Sequence, residues 1–214
     1  MLEKAMKYAK QIMEGDSSGH DWFHVLRVRN LAVTIGVEEA KNNRVNMDLV
    51  ELIALLHDLD DRKLSPETYE NQTRAREFLT GENMSPEQIE LILESIRNLS
   101  FNGTGSTVPS SLEGRIVQDA DRLDAMGAIG IGRAFAFGGS RGRSMYDPAQ
   151  PPDLHMDKEA YAKSNGPTIN HFYEKLLLLK DLMNTDAGKA MAAHRHGYME
   201  QFLEEFYGEW NGDI

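Results

Sequence analysis

The chain has 214 residues, 41% of them hydrophobic and 27% charged, with 34 acidic against 23 basic side chains and a formal net charge of −11. That balance fits one soluble domain with a real core. It excludes the extended basic face of a nucleic-acid binder, while a small phosphorylated substrate can still be held by a few local cations. Cysteine is absent, which excludes disulfides, thiolate metal sites and a thiol nucleophile, so any metal must take nitrogen and oxygen donors.

Helical periodicity runs along the chain. Leu2, Ala5, Met6, Ala9, Ile12 and Met13 mark one amphipathic face. Lysines at 4, 7 and 10 break up this first segment, so it does not read as a secretory signal. No run approaches the ~20 apolar residues of a membrane span, and a cytoplasmic protein without membrane association is expected. A second helix is predicted from about Asp21 to Gly36, with Gly36 as its stop. It carries His24 in line with Val28, Leu31 and Ile35. A third starts near Asn46, a good cap, and turns Leu49, Val50, Ile53 and Leu56 inward, with His57 continuing that stripe.

Ser65-Pro66-Glu67 and Ser85-Pro86-Glu87 each place a capping serine before proline at the first helical position. Ser85 with Gln88 fits a capping box. Further helices are predicted from about Ser111 to Met126, Thr168 to Met183 and Thr185 to Tyr207. The glycine-rich piece Gly127 to Gly142 reads as an interruption. It leads into an irregular stretch, Gly138 to Pro167, with four of the seven prolines, either a lid over a site or a disordered insertion. Gly138-Gly139-Ser140-Arg141-Gly142 satisfies the serine-hydrolase elbow pattern, but that motif needs a preceding strand and none is predicted.

The chemistry concentrates in three places. His24 and His57 sit on apolar stripes of two helices. The segment Arg115 to Asp124 places Asp119, Asp121 and Asp124 in an otherwise apolar helix. A buried, uncompensated carboxylate costs several kcal/mol, so Arg122, other arginines or a metal must meet them. Each signal alone has an ordinary explanation: inward histidines are commonly hydrogen-bonded core residues, and aspartates beside arginines commonly form salt bridges. Their order is what stands out, a histidine, then His57-Asp58, then an aspartate within Ala120-Asp121-Arg122-Leu123-Asp124-Ala125.

That order resembles the HD-domain phosphohydrolase superfamily, and a bacterial subgroup of small single-domain hydrolases within it. Ser18-Gly19-His20-Asp21-Trp22-Phe23-His24-Val25-Leu26-Arg27-Val28 resembles the opening segment. Leu56-His57-Asp58-Leu59-Asp60-Asp61-Arg62-Lys63 resembles the central one, and Asp119 to Gly127 the last. Asn170 to Leu176 and the closing Glu209-Trp210 resemble the same subgroup. The resemblance implies an all-α HD-domain helical bundle with a long glycine/proline-rich loop. It would be one domain over 1–214, with core ligands within about 20–125 and the loop and C-terminal helices in 126–214.

By position, the resemblance implies His24, His57, Asp58 and Asp121 as metal ligands, with Asp119 as the rival of Asp121. It suggests Asp61, Asp119 and His20 for proton transfer at the reacting centre, and Arg27, Lys63, Arg133, His171 and Lys175 as substrate-binding, with Arg141 and Arg143 as further phosphate candidates. Two-metal members of the superfamily carry extra histidines in this interval, and none lies between His57 and His155 here, so the resemblance implies one divalent ion (Mn, Co, Ni, Fe, Zn or Mg, with Mn or Mg favoured). The implied activity is phosphohydrolysis of a nucleotide, with a nucleoside triphosphate cut to monophosphate and pyrophosphate as the first reading. The alternatives are a nucleoside monophosphate phosphatase, a (p)ppGpp hydrolase or a catalytically degenerate nucleotide-binding domain. Phe202, Phe206, Tyr207 and Trp210 are either a homodimer face or core.

Overall fold

The structure, a computed structural model, describes residues 1–14, 21–61, 65–100, 107–154 and 164–214. Among these, the regular structure is entirely helical: ten α-helices and one 3-10 helix. The chain divides into two compact units, Met1–Asp121 and Arg122–Ile214. No helix among the described residues is long and apolar enough to cross a membrane.

The first unit contains α1 (Leu2–Met13), α2 (Trp22–Glu39), α3 (Met47–Leu56), α4 (Pro66–Tyr69), α5 (Thr73–Gly81) and α6 (Pro86–Arg97), and α7 (Leu112–Asp124) begins in it. Helix α3 is the core element. Val50, Leu52, Ile53, Ala54, Leu55 and Leu56 are all buried, and α1, α2 and α6 pack around it. From Leu52 to Leu56 the helix is apolar on every side, and such a stretch has to be enclosed in this way.

The caps read from the sequence hold in part. Asn46 Oδ1 accepts from Leu49 N at 3.2 Å, and the Ser85–Gln88 capping box is complete, each side chain accepting the other's backbone N–H at 3.3 Å. Ser65 departs from expectation, because its hydroxyl is engaged by Arg74 and caps nothing at α4. Gly36 does not stop α2, which runs three residues on to Glu39. A Cβ there would meet Met47 Sδ at 2.9 Å, so this glycine serves close packing of the α2 and α3 segments rather than termination.

The second unit holds α8 (Gly127–Ser140), α9 (Thr168–Glu174), a 3-10 helix (Leu176–Leu182) and α10 (Asp186–Asn211). Helix α8 corrects the expected interruption: the glycine-rich piece is a 14-residue helix. Its glycines admit neighbours instead of breaking it. A Cβ on Gly138 would sit 2.2 Å from Thr168 Oγ1, and α9 packs against α8 at this point. The predicted helix from Thr168 to Met183 is two elements, because Lys175 leaves helical geometry (φ −144°, ψ −60°). Helix α10 extends past Tyr207 to Asn211 and ends on Gly212 in the left-handed region.

The described part of the irregular stretch is tied to this unit by backbone and side-chain bonds. Thr168 N donates to Ser144 O at 2.9 Å, Ile169 N to Met145 O at 2.9 Å and Asn170 Nδ2 to Gln150 O at 2.8 Å. Tyr146 makes edge contacts with Phe206, Tyr207 and Trp210, at 6.1, 5.3 and 5.1 Å between ring centroids. Phe202 and Phe206 also pack on Phe135. The C-terminal aromatics thus touch one another, Phe135 and Tyr146 within their own unit, with Phe202, Phe206 and Tyr207 half-buried and Trp210 exposed.

Candidate metal centre

Asp21 caps α2, its Oδ1 accepting His24 N at 2.8 Å. That bond places His24 in the first turn of α2, where its side chain is buried among the apolar residues of the stripe. His57 follows the last residue of α3 with helical backbone angles (φ −60°, ψ −35°), so its ring continues the inward stripe. Asp58 lies in the turn after it. Asp121 comes from α7, four residues after the buried Val117.

Four side chains converge. His24 Nε2 is 3.2 Å from His57 Nε2, 3.2 Å from Asp58 Oδ2 and 3.5 Å from Asp121 Oδ1, and His57 Nε2 is 3.4 Å from Asp58 Oδ1. His57 Nδ1 is 2.8 Å from Ala54 O. A carbonyl can only accept, so in the neutral ring the proton sits on Nδ1 and the Nε2 lone pair points at His24. A proton on His24 Nε2 could serve one of its three neighbouring acceptors, whereas a divalent cation can be shared by His24, His57 and Asp58 at once, with Asp121 Oδ1 3.5 Å from His24 Nε2 beside them. Neighbouring donors around a cation with bonds of about 2.1 Å stand roughly 3.0–3.4 Å apart in octahedral or tetrahedral coordination. The donor set thus fits a metal, and His24, His57 and Asp58 form a group whose ligand atoms lie within 4.8 Å of one another. Two imidazoles with carboxylate oxygens suit the divalent ions from Mn to Zn, and the set does not name one.

Asp60, two residues after Asp58, turns the other way. Its two oxygens accept Arg74 N at 3.1 Å and Ala75 N at 3.0 Å, capping the first turn of α5. The centre opens into a cavity of about 230 Å³, with His57, Asp58, Asp61 and Asp121 on one side and Tyr69, Gln72 and Arg97 among the other lining residues.

The remaining predicted residues scatter. Asp61 lines the cavity. Asp119 is fully buried and, like the half-buried Arg27, is not among the described lining residues. His20 and Lys63 lie outside the described residues. In the second unit, Arg133 pairs with the buried Asp124 at 2.6 Å. Arg141 and Arg143 lie over the Phe137 ring, and Arg143 also donates to Ser164 O at 2.6 Å. His171 is within α9, and Lys175 is the residue after its last helical one, with its N–H on His171 O at 3.0 Å. Tyr69, Gln72 and Arg97 were not visible as site residues from spacing. Gln72 takes a left-handed backbone (φ 48°, ψ 50°), which a glutamine does not advertise.

The model of the HD domain family matches residues 22–126, the span that carries all four converging side chains. YpgQ of Bacillus subtilis is 38% identical over 205 residues, covering 95% of this chain and 90% of that protein. Among solved structures, a protein from Lactobacillus plantarum aligns at 40% identity with a TM-score of 0.86, over 99% of this chain and 97% of that one. An HD-superfamily hydrolase from Bacillus thuringiensis aligns at 43% identity and a TM-score of 0.73, over 98% and 96% of the two chains. Bacillus subtilis YpgQ in complex with ADP aligns at 33% identity and a TM-score of 0.75, over 98% and 97%.

Proposed function

The chain belongs to the HD-domain superfamily of hydrolases, and from that premise we propose that it is a metal-dependent phosphohydrolase cutting a nucleoside triphosphate to the monophosphate and pyrophosphate. The observation that carries this reading is the cluster of His24, His57 and Asp58, with Asp121 Oδ1 3.5 Å from His24, three of these four residues lining one cavity. ADP bound by the Bacillus subtilis relative supports a nucleotide as the ligand.

His24, His57, Asp58 and Asp121 would hold one divalent ion. Such an ion supplies positive charge against phosphoryl oxygens and acidifies a water at neutral pH. The Ala54 carbonyl holds the tautomer and orientation of His57, as carbonyl and carboxylate partners commonly do for metal-ligating histidines. Asp61 lines the same cavity as His57, Asp58 and Asp121 and would take the proton of an attacking water. The cavity wall carries Asp58, Asp60, Asp61, Glu70 and Asp121, so a polyphosphate enters only with cationic charge already present. That requirement favours a substrate delivered against the metal.

The test is a panel of nucleoside mono-, di- and triphosphates with Mn, Co and Mg, read by separating pyrophosphate from orthophosphate. Pyrophosphate released from triphosphates is the expected result. Orthophosphate from monophosphates alone would overturn the triphosphate reading, and no hydrolysis with any metal would overturn the enzyme reading.

A further inference from the structure

Among the described residues lining the cavity, one cationic side chain stands against five carboxylates, and it is Arg97. Arg97 is the last residue of α6. Its Nη1 donates to Gln72 Oε1 at 3.1 Å, and its Nη2 donates to Glu90 Oε1. The Glu90 contact is a surface pair, with the side chains 42% and 55% exposed, a class worth about 0–1 kcal/mol. Glu90 also accepts from Arg76 Nη2 at 3.3 Å, so it keeps a partner when Arg97 turns away. The Gln72 contact is different. Gln72 is buried and sits in a backbone conformation that costs a non-glycine residue roughly 1–2 kcal/mol. It directly precedes α5, whose first turn is pinned by Asp60. A short path of chain and hydrogen bonds therefore runs from Asp58 through Asp60 and the start of α5 to Gln72, and from there to the guanidinium.

We propose that Arg97 is the residue that grips the phosphate chain of the substrate, and that Gln72 is its positioning residue. This rests on the phosphohydrolase reading of the same site. A guanidinium offers a planar fork that matches two phosphate oxygens, and Gln72 fixes one edge of that fork while the weakly held edge exchanges Glu90 for phosphate. The phosphate arm is thus supplied by α6 of the first unit.

The experiment compares the metal-loaded protein with Arg97→Gln, Arg97→Lys and Gln72→Gly, the last keeping a residue at ease with positive φ. Three quantities are read: Mn binding by titration calorimetry, steady-state hydrolysis of a triphosphate, and binding of inorganic pyrophosphate to the Mn-loaded protein. Arg97→Gln is expected to raise KM about 10- to 100-fold, the range for losing a charge-assisted hydrogen bond, with kcat within about threefold, as for an interaction made equally before and during reaction. Arg97→Lys falls between. Gln72→Gly raises KM in the same direction by a smaller factor, leaving Mn affinity intact. Unchanged KM in Arg97→Gln overturns the assignment while the enzyme reading stands. If the wild-type protein cleaves no nucleotide, the enzyme reading fails. Pyrophosphate binding then decides: lost in Arg97→Gln it upholds the grip, and equal in both proteins or absent from both it overturns it.

Discussion

Asp58 and Asp60, two residues apart in one turn, serve opposite neighbours: Asp58 Oδ2 stands 3.2 Å from His24 Nε2, while Asp60 accepts the backbone N–H groups of Arg74 and Ala75. One carboxylate faces the candidate metal and the other holds the frame. Replacing them should separate the two roles. Asp58→Ala and His57→Ala should lose the bound ion, read as metal per chain by elemental analysis, and lower hydrolysis by at least about 100-fold. Asp60→Ala should keep the ion but lower stability by about 1–2 kcal/mol, the scale of a lost N-terminal cap, in chemical denaturation. An Asp60→Ala protein with no metal and full stability would reverse the assignment.

Metal should also stabilise the fold. An ion at 100 times its dissociation constant adds about 2.7 kcal/mol, which for a chain of this size raises Tm by about 5–10 °C. Differential scanning fluorimetry with Mn and then excess chelator should show the rise and its reversal. A Tm indifferent to Mn, Co, Mg and Zn would speak against a built site.

A Cβ on Gly138 of α8 would stand 2.2 Å from Thr168 Oγ1 at the start of α9. Gly138→Ala should cost about 1–3 kcal/mol, because its methyl would meet Thr168 Oγ1. Adding Thr168→Ala removes that oxygen and should recover part of the loss, measurable as a coupling in a double-mutant cycle. Independent, additive effects would disprove the clash.

Glu174 has its carboxyl pushed above the usual 4.5, by burial first and by nearby Asp153 as well, against the relief of accepting Asp153 N. A carboxyl raised on folding binds its proton more tightly in the native state, so it weakens the fold once ionised. That penalty is absent below the unfolded value and grows as pH rises through the folded one. Glu174→Gln should therefore stabilise at pH 7 and do little below about 4.5, in urea melts across that window. Equal effects at both ends would leave the burial without consequence.

Some of this was legible in the residues themselves. His24 and His57 lie on apolar stripes at helical spacing, and the structure brings their rings together as that spacing implies. The capping box at Ser85 was readable because cap chemistry is local. The choice between Asp119 and Asp121 rests on resemblance; Asp121 Oδ1 stands 3.5 Å from His24 Nε2, and Asp119 is fully buried. Two of the departures share a cause. Gly36 and the glycines of α8 were read as breakers, but a glycine that admits a neighbouring side chain looks identical in sequence to one that ends a helix. Lys175 breaks a predicted helix without proline or glycine, and the pairing of Arg97 with Gln72 joins the end of α6 to the residue before α5 through a backbone angle no pattern announces.

The four converging side chains come from positions 24, 57, 58 and 121. On the assignment proposed here, this ordering has a consequence during synthesis. Chains leave the ribosome amino end first, at about 5–20 residues each second, so the two histidines and Asp58 emerge seconds before Asp121. A nascent chain offers an incoming ion only part of its coordination, and firm capture waits until α7 has cleared the exit tunnel. Loading would then mark the completion of the first unit, and translation in metal-poor medium should leave a longer-lived, protease-sensitive nascent form.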